Sequence, residues 1–346
     1  MKILIVGFGS IGKRHFNNLV ELGYTDFIVL TSQDLTPLNA NPISLKTEKE
    51  LSAALGHGPD VAFICNPTSL HMAAAIEAAK AGCPVFLEKP ISHNLDGIQE
   101  LEALTWSATP DLFAAAKPKL QVGFQLRYHP VLQIIKKRID EGEIGRVLAA
   151  HAHWGEWLPG WHPWEDYRES YSARTDLGGG AVLTLCHPFD YLHWMLGEAE
   201  VASAIGGKLS DLEMEAEDAV LVALKFRNGA IASVWLDYVS KPAKHRLEII
   251  GTDGRIEWAA DTGIAKIFFQ NGNEETHFPG RHAERNELFL DEARDFMQCI
   301  VENSPPACTL ADGIRALKTC LKVKELLATH DAMVRIGDSQ FTAIPK

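Results

Sequence analysis

The chain opens with KILIVGFGSIGKRH, residues 2–15, and this stretch predicts how the fold begins. The run KILIV, residues 2–6, is typical of a strand that is buried on both faces of a parallel sheet. It passes directly into the glycine sequence of residues 7–12, and residues at helical spacing follow it: Ile11, His15, Leu19 and Leu22. A GxGxxG sequence between a strand and a helix is typical of a dinucleotide-binding turn.

Each glycine of this turn has a separate physical use. Gly7 permits the tight turn, Gly9 lets the backbone approach a pyrophosphate, and Gly12 lets helix and strand pack closely. The following helix N-terminus offers free N–H groups and the positive end of its dipole. We therefore expect the whole loop to contact a nicotinamide cofactor: Gly7, Phe8, Gly9, Ser10, Ile11 and Gly12. A glycine-rich turn without a ligand is the alternative.

The end of the second predicted strand bears on the choice between NAD and NADP. NAD sites usually have a carboxylate there for the ribose 2′-hydroxyl. This strand ends in Thr31 and Ser32, and the first carboxylate is Asp34. Hydroxyl groups tolerate a 2′-phosphate better than a carboxylate does, and Lys13 and Arg14 could supply charge. The cofactor is thus NAD or NADP, with NADP favoured, although both cations could equally be solvated surface groups.

The rest of the first third repeats the strand–helix alternation. Further strands are predicted at residues 27–31, 61–66, 84–90 and 120–124, with a helix at 71–80. This alternation favours a doubly wound α/β fold with a parallel sheet. After residue 145 the pattern changes to longer strands, and Asn228-Gly229 predicts a hairpin. We expect a Rossmann domain at 1–122 and an α+β domain with an open, mostly antiparallel sheet at 123–346.

Composition limits the partners. The formal net charge of -12 argues against nucleic acid, which prefers a basic face. No apolar run is long enough to span a membrane. The six cysteines form no CxxC or CxxH spacing, so we expect no metal site and reduced thiols in a cytoplasmic protein.

The sequence Leu87-Glu88-Lys89-Pro90 lies at the predicted carboxyl end of a parallel strand. Ligands bind at that edge in open α/β sheets. A lysine held beside a nicotinamide can donate a proton to a carbonyl or hydrogen-bond an alcohol. A surface lysine before a turn is the alternative.

Four motifs in this order resemble the glucose–fructose oxidoreductase, inositol dehydrogenase and rhizopine-catabolism (Gfo/Idh/MocA) family. They are GFGSIGKRH (7–15), CNPTSLH (65–71), LEKPIS (87–92) and LEIIGTDGRIEW (247–258). The resemblance implies a Rossmann domain, a C-terminal α/β domain with an open sheet, a nicotinamide cofactor and most often a sugar, polyol or sugar-nucleotide substrate.

The resemblance also implies roles for single residues. Lys89 matches the catalytic lysine. The cofactor would be contacted by the loop and strand-end residues Asn66, Pro67, His71, Glu88 and Lys89. In GFQLRYHP, residues 123–130, Gln125 would approach the cofactor and Arg127 the substrate. An interdomain salt bridge is the alternative for Arg127.

The stretch GGGAVLTLCHPFDYLHW, residues 178–194, holds the remaining candidates. His187 matches the family histidine that acts as base or orients the substrate, and Asp190 matches an acidic residue three positions later. The family aspartate before that histidine is missing, because those positions are Leu183 and Thr184. Either Thr184 fits this substrate with its hydroxyl group, which we favour, or the chain has lost the usual chemistry and kept binding.

The aromatic segment 155–174 is the candidate substrate wall. Aromatic rings stack on sugars and arginine binds carboxylate or phosphate, so Trp161, Tyr167 and Arg168 are predicted substrate contacts. A dimer interface or a packed loop is the alternative. The arrangement also looks like family members associated with cell-surface sugars such as nonulosonic acids.

These features together predict an oxidoreductase that moves a hydride between nicotinamide and a hydroxyl-bearing carbon of a sugar, polyol or sugar derivative. Lys89 would polarise the oxygen, His187 would move the proton near its ordinary pKa of about 6.5, and Thr184 would position the substrate. A non-catalytic NAD(P) sensor and an epimerase with a recycled cofactor are the alternatives. We expect a homodimer or homotetramer formed through the C-terminal sheet.

Overall fold

Two sheets organise the chain: one of six parallel strands and one of eight strands that is mostly antiparallel. The computed structural model describes residues 1–35, 38, 42–106, 117–278 and 284–336, with backbone alone from 330 onward. In this part of the chain, no helix combines the length and apolar character needed to cross a membrane. The predicted fold class is confirmed.

The parallel sheet carries the glycine turn at its carboxyl edge. Its strands are β1 (Lys2–Val6), β2 (Asp26–Leu30), β3 (Ser44–Glu48), β4 (Val61–Ile64), β5 (Val85–Glu88) and β6 (Leu120–Gly123). Its helices are α1 (Ser10–Glu21), α2 (Leu51–Gly56), α3 (His71–Lys80) and α4 (Ile98–Leu104). The order β3-β2-β1-β4-β5-β6 reverses direction beside β1, where a crevice for a ligand opens. The sequence did not predict β3, because Leu45 is the one buried residue of this strand and no apolar run marks it.

The second sheet forms the C-terminal half. Its strands are β7 (Val147–Trp157), β8 (Ala199–Gly207), β9 (Ala219–Phe226), β10 (Ile231–Asp237), β11 (Val239–Gly251), β12 (Gly254–Ala259), β13 (Ala265–Phe269) and β14 (Glu274–His277). Their order is β14-β13-β12-β11-β7-β10-β9-β8, with only β7 and β10 parallel among these pairs. The predicted hairpin is confirmed, since Gly229 has a φ of 89° between β9 and β10.

Helices cover one face of this sheet, and one helix returns to the first domain. The C-terminal half contains α5 (Pro130–Asp140), α6 (Ala181–Thr184), α7 (His187–Leu196), α8 (Arg285–Glu302) and α9 (Leu310–Ile336). Phe296 of α8 packs against the sheet residues Phe63 and Phe86, with ring centroids 5.9 and 5.7 Å away. Helix α8 thus helps to bury the Rossmann sheet, and the division at residues 122 and 123 stays a prediction.

The three glycines at 178–180 are required by close packing of the segment before α6. Gly180 has a φ of 104°, and a Cβ atom there would lie 2.3 Å from the Glu217 carboxylate. A Cβ on Gly179 would lie 2.3 Å from the Tyr171 carbonyl oxygen. Two helices follow them, because α6 ends at Thr184 and α7 begins at His187. Pro188 at the second position of α7 suits this new start, since proline needs no amide partner there.

Candidate active site

The glycine turn has the shape that a dinucleotide needs. A Cβ on Gly12 would lie 2.1 Å from the Gly7 carbonyl oxygen, so only glycine fits this close approach of helix and strand. A Cβ on Gly9 would meet nothing within 4 Å. Helix α1 has no side-chain cap and no acidic residue in its first turn. Free N–H groups therefore face open space, and an NAD pyrophosphate fits this turn.

The other residues of the turn contribute unequally. The Phe8 ring is buried against Phe16, with centroids 5.6 Å apart, so Phe8 can offer a ligand only its backbone. Ser10 is exposed and Ile11 half-buried at the start of α1. These two side chains lie where a cofactor could contact them, as the sequence predicts.

A cavity of about 280 Å³ lies at the carboxyl ends of β2 and β3. Thr31, Ser32 and Gln33 line one side. Gln33 also donates from Nε2 to the Phe8 carbonyl oxygen at 3.1 Å, which ties the cavity to the glycine turn. In a Rossmann domain that binds a dinucleotide, the adenosine ribose would lie at the end of the second strand. Glu48, Lys49 and Glu50 line the other side; they were missed because β3 was not predicted.

Arg14 does not face this cavity. Its Nη1 donates to Asn286 Oδ1 at 3.2 Å, and its guanidinium lies 4.8 Å from the centre of the Phe289 ring. Both partners belong to α8, on the side of α1 that packs against that helix. The prediction that Arg14 supplies charge for a 2′-phosphate is therefore not supported by its contacts.

His71 joins the loop after β4 to the turn after β5. Its Nδ1 lies 2.8 Å from the Pro90 carbonyl oxygen and its Nε2 lies 2.8 Å from the Asn66 carbonyl oxygen. Burial lowers its pKa. Both ring nitrogens are occupied, so His71 braces the cofactor loop instead of offering a ring nitrogen to a ligand. Asn66 is half-buried, and Pro67 precedes a short turn of helix at Thr68–Leu70.

Glu88 is held inside the fold. Its Oε1 lies 2.8 Å from Nε2 of the buried His15, and its Oε2 accepts from the Lys89 backbone N–H at 3.2 Å. Glu88 therefore fixes the end of β5 to α1, and its predicted contact with the cofactor gains no support. This anchoring sets where the Lys89 side chain begins.

Lys89, at the end of β5, lies close enough to His187 for its charge to act on that ring. The Lys89 ammonium donates to the Thr184 carbonyl oxygen at 2.9 Å, three residues before His187. Thr184 is buried, and its hydroxyl group lies beside the Tyr238 phenol. The Thr184 backbone thus positions the lysine, while substrate contact by its hydroxyl group remains a prediction.

His187 begins α7 and is almost completely buried. Its Nε2 lies 3.4 Å from the Gln125 amide nitrogen. Burial lowers the pKa of His187 well below its usual value, and the charges of Lys89, His245 and Arg285 lower it further. The expectation of an ordinary pKa near about 6.5 is corrected, because the sequence does not show how deeply this ring is buried. His187 is a neutral imidazole that can accept a proton.

Arg127 and Asp190 bind each other. Arg127 donates from Nη2 to Asp190 Oδ1 at 2.7 Å and from Nε to Oδ2 at 3.1 Å. Both side chains are buried, and Arg127 Nη1 also donates to the Ala307 carbonyl oxygen at 3.3 Å. The structure thus shows Arg127 in the salt bridge that the sequence left as the alternative. Substrate contact by either residue has no support in these contacts.

This ion pair gives a prediction about stability. We expect Asp190→Leu to lower the free energy of unfolding by about 3 kcal/mol, because it leaves the buried Arg127 charge with only the Asp312 carboxylate, 3.3 Å away. The measurement is urea unfolding followed by circular dichroism. The double variant Arg127→Met/Asp190→Leu should recover most of the loss. If the double variant is less stable than Asp190→Leu, the pair does not act as we describe.

The aromatic segment 155–174 contacts surface residues as well as a residue beside the second sheet. Arg168 donates to Asp166 and Glu213 at 2.6 Å each, and Tyr167 Oη accepts from the Glu213 N–H at 2.9 Å. Arg168 is exposed, and its side chain is paired with these two surface carboxylates. Trp161 packs edge-on against Tyr238, with centroids 5.6 Å apart. Trp161 therefore contacts Tyr238, a neighbour of Thr184.

Sequence reasoning missed three residues around His187. Trp154 lies against the His187 ring, and His245 and Glu156 follow behind it. Trp154 and Glu156 alternate on β7 and His245 lies opposite on β11. The apolar alternation of β7 marked Trp154 as core, but no local pattern indicated its neighbour.

Comparison with known proteins agrees with this architecture. Two models match: an oxidoreductase family with an NAD-binding Rossmann fold, over residues 1–109, and the GFO/IDH/MocA C-terminal domain, over residues 132–257. The chain is similar to myo-inositol 2-dehydrogenase of Thermotoga maritima, with 26% identity covering 92% of this chain and 93% of that protein.

Two further likenesses extend the comparison. The 1,5-anhydro-D-fructose reductase of Ensifer adhaerens is 26% identical over 79% of each chain. The structure of a levoglucosan dehydrogenase in complex with NADH and L-sorbose superposes with a TM-score of 0.82, covering 95% of this chain and 97% of that one at 19% identity. With the glycine turn, Lys89 and His187 in place, the chain belongs to the Gfo/Idh/MocA family of oxidoreductases, with an NAD-binding Rossmann fold.

Proposed function

We propose that this protein oxidises a secondary hydroxyl group of a cyclic polyol or sugar with NAD⁺, and catalyses the reverse reduction. The observation that carries the proposal is the position of the Lys89 ammonium at the carboxyl end of β5, where it donates to the Thr184 carbonyl oxygen three residues before the neutral His187 imidazole. Relatives named for myo-inositol and 1,5-anhydro-D-fructose support the substrate class. The narrower prediction of cell-surface sugars has no such support.

Each side chain at the site has a separate role in the proposed reaction. Bound nicotinamide would accept or give the hydride. Lys89 hydrogen-bonds the reacting oxygen and stabilises its negative charge as the proton leaves. His187 accepts that proton in oxidation and returns it in reduction. Gln125 places its Nε2 3.4 Å from His187 Nε2, and Thr184 orients the substrate.

The test is an absorbance assay of NADH formation with a panel of inositols, aldoses and 1,5-anhydrohexoses. We expect turnover with at least one member. Tightly bound cofactor that stays oxidised with every member would contradict the dehydrogenase and favour a sensor or an epimerase.

The contacts at the end of β2 support a different cofactor from the NADP that the sequence favoured. Arg14 faces α8, while Glu48 and Glu50 line the cavity at the end of β2 together with Lys49. A 2′-phosphate would meet both carboxylates there, whereas a 2′-hydroxyl group can donate to one. We propose that NAD(H) is preferred over NADP(H).

We expect kcat/KM for NAD⁺ to exceed that for NADP⁺ by about tenfold or more, which is about 1.4 kcal/mol of discrimination. Steady-state kinetics with both cofactors measures the ratio. The variant Glu50→Gln should narrow it, and the remote Glu302→Gln should not. Equal kcat/KM values for the two cofactors in the wild type would contradict the preference for NAD(H).

The buried His187 predicts the pH dependence. A base must be neutral to accept a proton, and the pKa of His187 is well below its usual value because of burial and of the charges on Lys89, His245 and Arg285. Protonation of His187 therefore begins only in acid. We expect protonation of His187 to lower kcat/KM for oxidation only below a pH of about 6.5.

The control for this profile is His187→Gln, whose residual activity should lack that acidic limb. An acidic limb centred above neutral pH in the wild type, and absent from His187→Gln, would contradict a depressed pKa.

The outer face of the second sheet supports a homodimer or homotetramer, as the sequence predicts. Ile231, Ala149 and Ile250 form one row across β10, β7 and β11, and both isoleucines are exposed. Ile205 is also exposed on the same face. Ile231→Lys should convert the assembly to monomer in light scattering, while Val301→Lys, on the exposed side of α8, should leave its mass unchanged.

We keep the cytoplasm as the proposed location. All six cysteines are buried and free, which suits a reducing compartment. Fractionation of the cells that produce the protein tests this assignment.

A further inference from the structure

Two rings pack behind the proton-accepting ring of His187. The indole of Trp154 lies against His187, with ring centroids 5.1 Å apart and planes at 38°. On its other side Trp154 stacks on His245, with centroids 3.7 Å apart and planes at 15°. Trp154 and His245 are direct neighbours across β7 and β11. We call the set His187–Trp154–His245 the ring stack.

The His187 ring has few hydrogen bonds to orient it. Its Nδ1 is buried and has no hydrogen-bond partner among the residues that the structure describes. Its Nε2 has the Gln125 amide at 3.4 Å, a long contact. A catalytic histidine is usually oriented by a carbonyl or carboxylate on the second ring nitrogen. Packing against neighbouring rings must therefore orient the His187 ring. The Phe124 ring also packs against it, with centroids 5.9 Å apart and planes at 78°.

The outer end of the ring stack is anchored. His245 Nε2 lies 3.0 Å from Glu156 Oε1, and the other carboxylate oxygen of Glu156 accepts from Trp161 Nε1 at 3.3 Å. Glu156 follows Trp154 by two residues on the same strand. This ion pair lies at the edge of the His245 ring, and the His245 ring, stacked on the indole, limits how far the indole can tilt away from His187.

We propose that Trp154, braced by the stacked ring of His245, is the positioning element that orients the His187 imidazole for proton transfer. The inference rests on the proposed function, in which His187 is the base. The brace needs the ring of His245 and not its charge, since flat stacking is what limits the indole. The stacked rings affect the geometry of proton transfer, whereas other residues determine the affinity for substrate.

Variants at position 245 separate the ring from its charge. In His245→Ala we expect kcat to fall about tenfold or more with KM within about threefold, because a shift of about 1 Å in a reacting group can cost two orders of magnitude. In His245→Phe, which keeps a flat ring, we expect kcat within about threefold of wild type. A crystal structure should show several His187 rotamers in His245→Ala and a single one in His245→Phe.

The chain supplies a matched control on the opposite face of the same strand. His153 Nε2 lies 2.9 Å from Asp237 Oδ2, so it has a similar histidine–carboxylate pair one residue before Trp154. His153→Ala should leave kcat unchanged. Trp154→Phe, a milder change than removal, should lower kcat in the same sense as His245→Ala.

Three results would overturn the positioning role. They are unchanged kcat in His245→Ala, equal loss of kcat in His245→Phe and His245→Ala, and a rise in KM without a change in kcat. Failure of the proposed function is distinguishable, because it appears as wild-type activity in His187→Ala or as no turnover by the wild type. In that case the rotamers of His187 in the crystal structures still decide whether the stack orients the ring.

Discussion

Lys89→Ala is expected to lower kcat by about two orders of magnitude or more, the usual contribution of a positioned proton donor or charge at a reacting oxygen. The ammonium is held by the Thr184 carbonyl oxygen at 2.9 Å, and the preceding Glu88 is fixed to His15, so the charge is preorganised and not free in solution. Preorganised charge is worth most where a negative oxygen develops. His187→Ala should lose kcat to a similar extent, because the substrate proton then has no acceptor.

The controls for these variants concern binding and surface charge. Calorimetry should show NAD⁺ affinity within about threefold of wild type in both variants, since neither side chain is asked to hold the pyrophosphate. Lys80→Ala, on the exposed end of α3, should keep full turnover. If Lys89→Ala retains more than about a third of wild-type kcat, another group carries the charge and the assignment of Lys89 is wrong.

Gly9→Val is expected to raise the dissociation constant of NAD⁺ more than about 100-fold, or about 2.7 kcal/mol. The new side chain would occupy the open space in front of the turn, where a Cβ meets no protein atom within 4 Å. For the same reason the fold should tolerate it, because nothing in the protein has to move. The thermal midpoint of the cofactor-free protein should therefore stay within about 2 °C of wild type. Isothermal calorimetry measures the affinity.

Gly12→Ala is the contrasting variant. Its Cβ would lie 2.1 Å from the Gly7 carbonyl oxygen, so the backbone of the turn must shift and the cofactor-free protein should lose stability. Gly9→Val and Gly12→Ala thus separate loss of ligand space from loss of fold. Unchanged NAD⁺ affinity in Gly9→Val would show that the cofactor does not lie on this turn.

The parts that the sequence predicted are set by short-range forces. The strand Lys2–Val6, the glycine turn and α1 follow from an apolar run, from glycine geometry and from helical spacing, all within about twenty residues. The helix His71–Lys80 was predicted to the residue. Lys89 was placed at the ligand edge because the carboxyl ends of parallel strands face one crevice.

The sequence misses elements and contacts where local patterns are weak or where a partner is distant. Strand β3 has one buried side chain, so it carries no apolar run, and the two carboxylates at its end were missed with it. The sequence shows the charge of Arg14 but not where its side chain points, since its contact with Asn286 joins residues 272 positions apart. Asp190 and Arg127 looked like substrate ligands because nothing local reveals that they bind each other across 63 positions.

The sequence by itself determined the two sheets, the cofactor turn and the residue types available for proton transfer, because steric limits on neighbouring residues and the burial of apolar faces act along the chain. Only the tertiary structure decided which of those residues act together. The hold of the Thr184 backbone on Lys89 and the stacking of Trp154 and His245 behind His187 depend on how helices α6 and α7 dock and on the register of β7 with β11. Such contacts join segments far apart in the chain, where packing of the whole molecule, and not local preference, selects the neighbour.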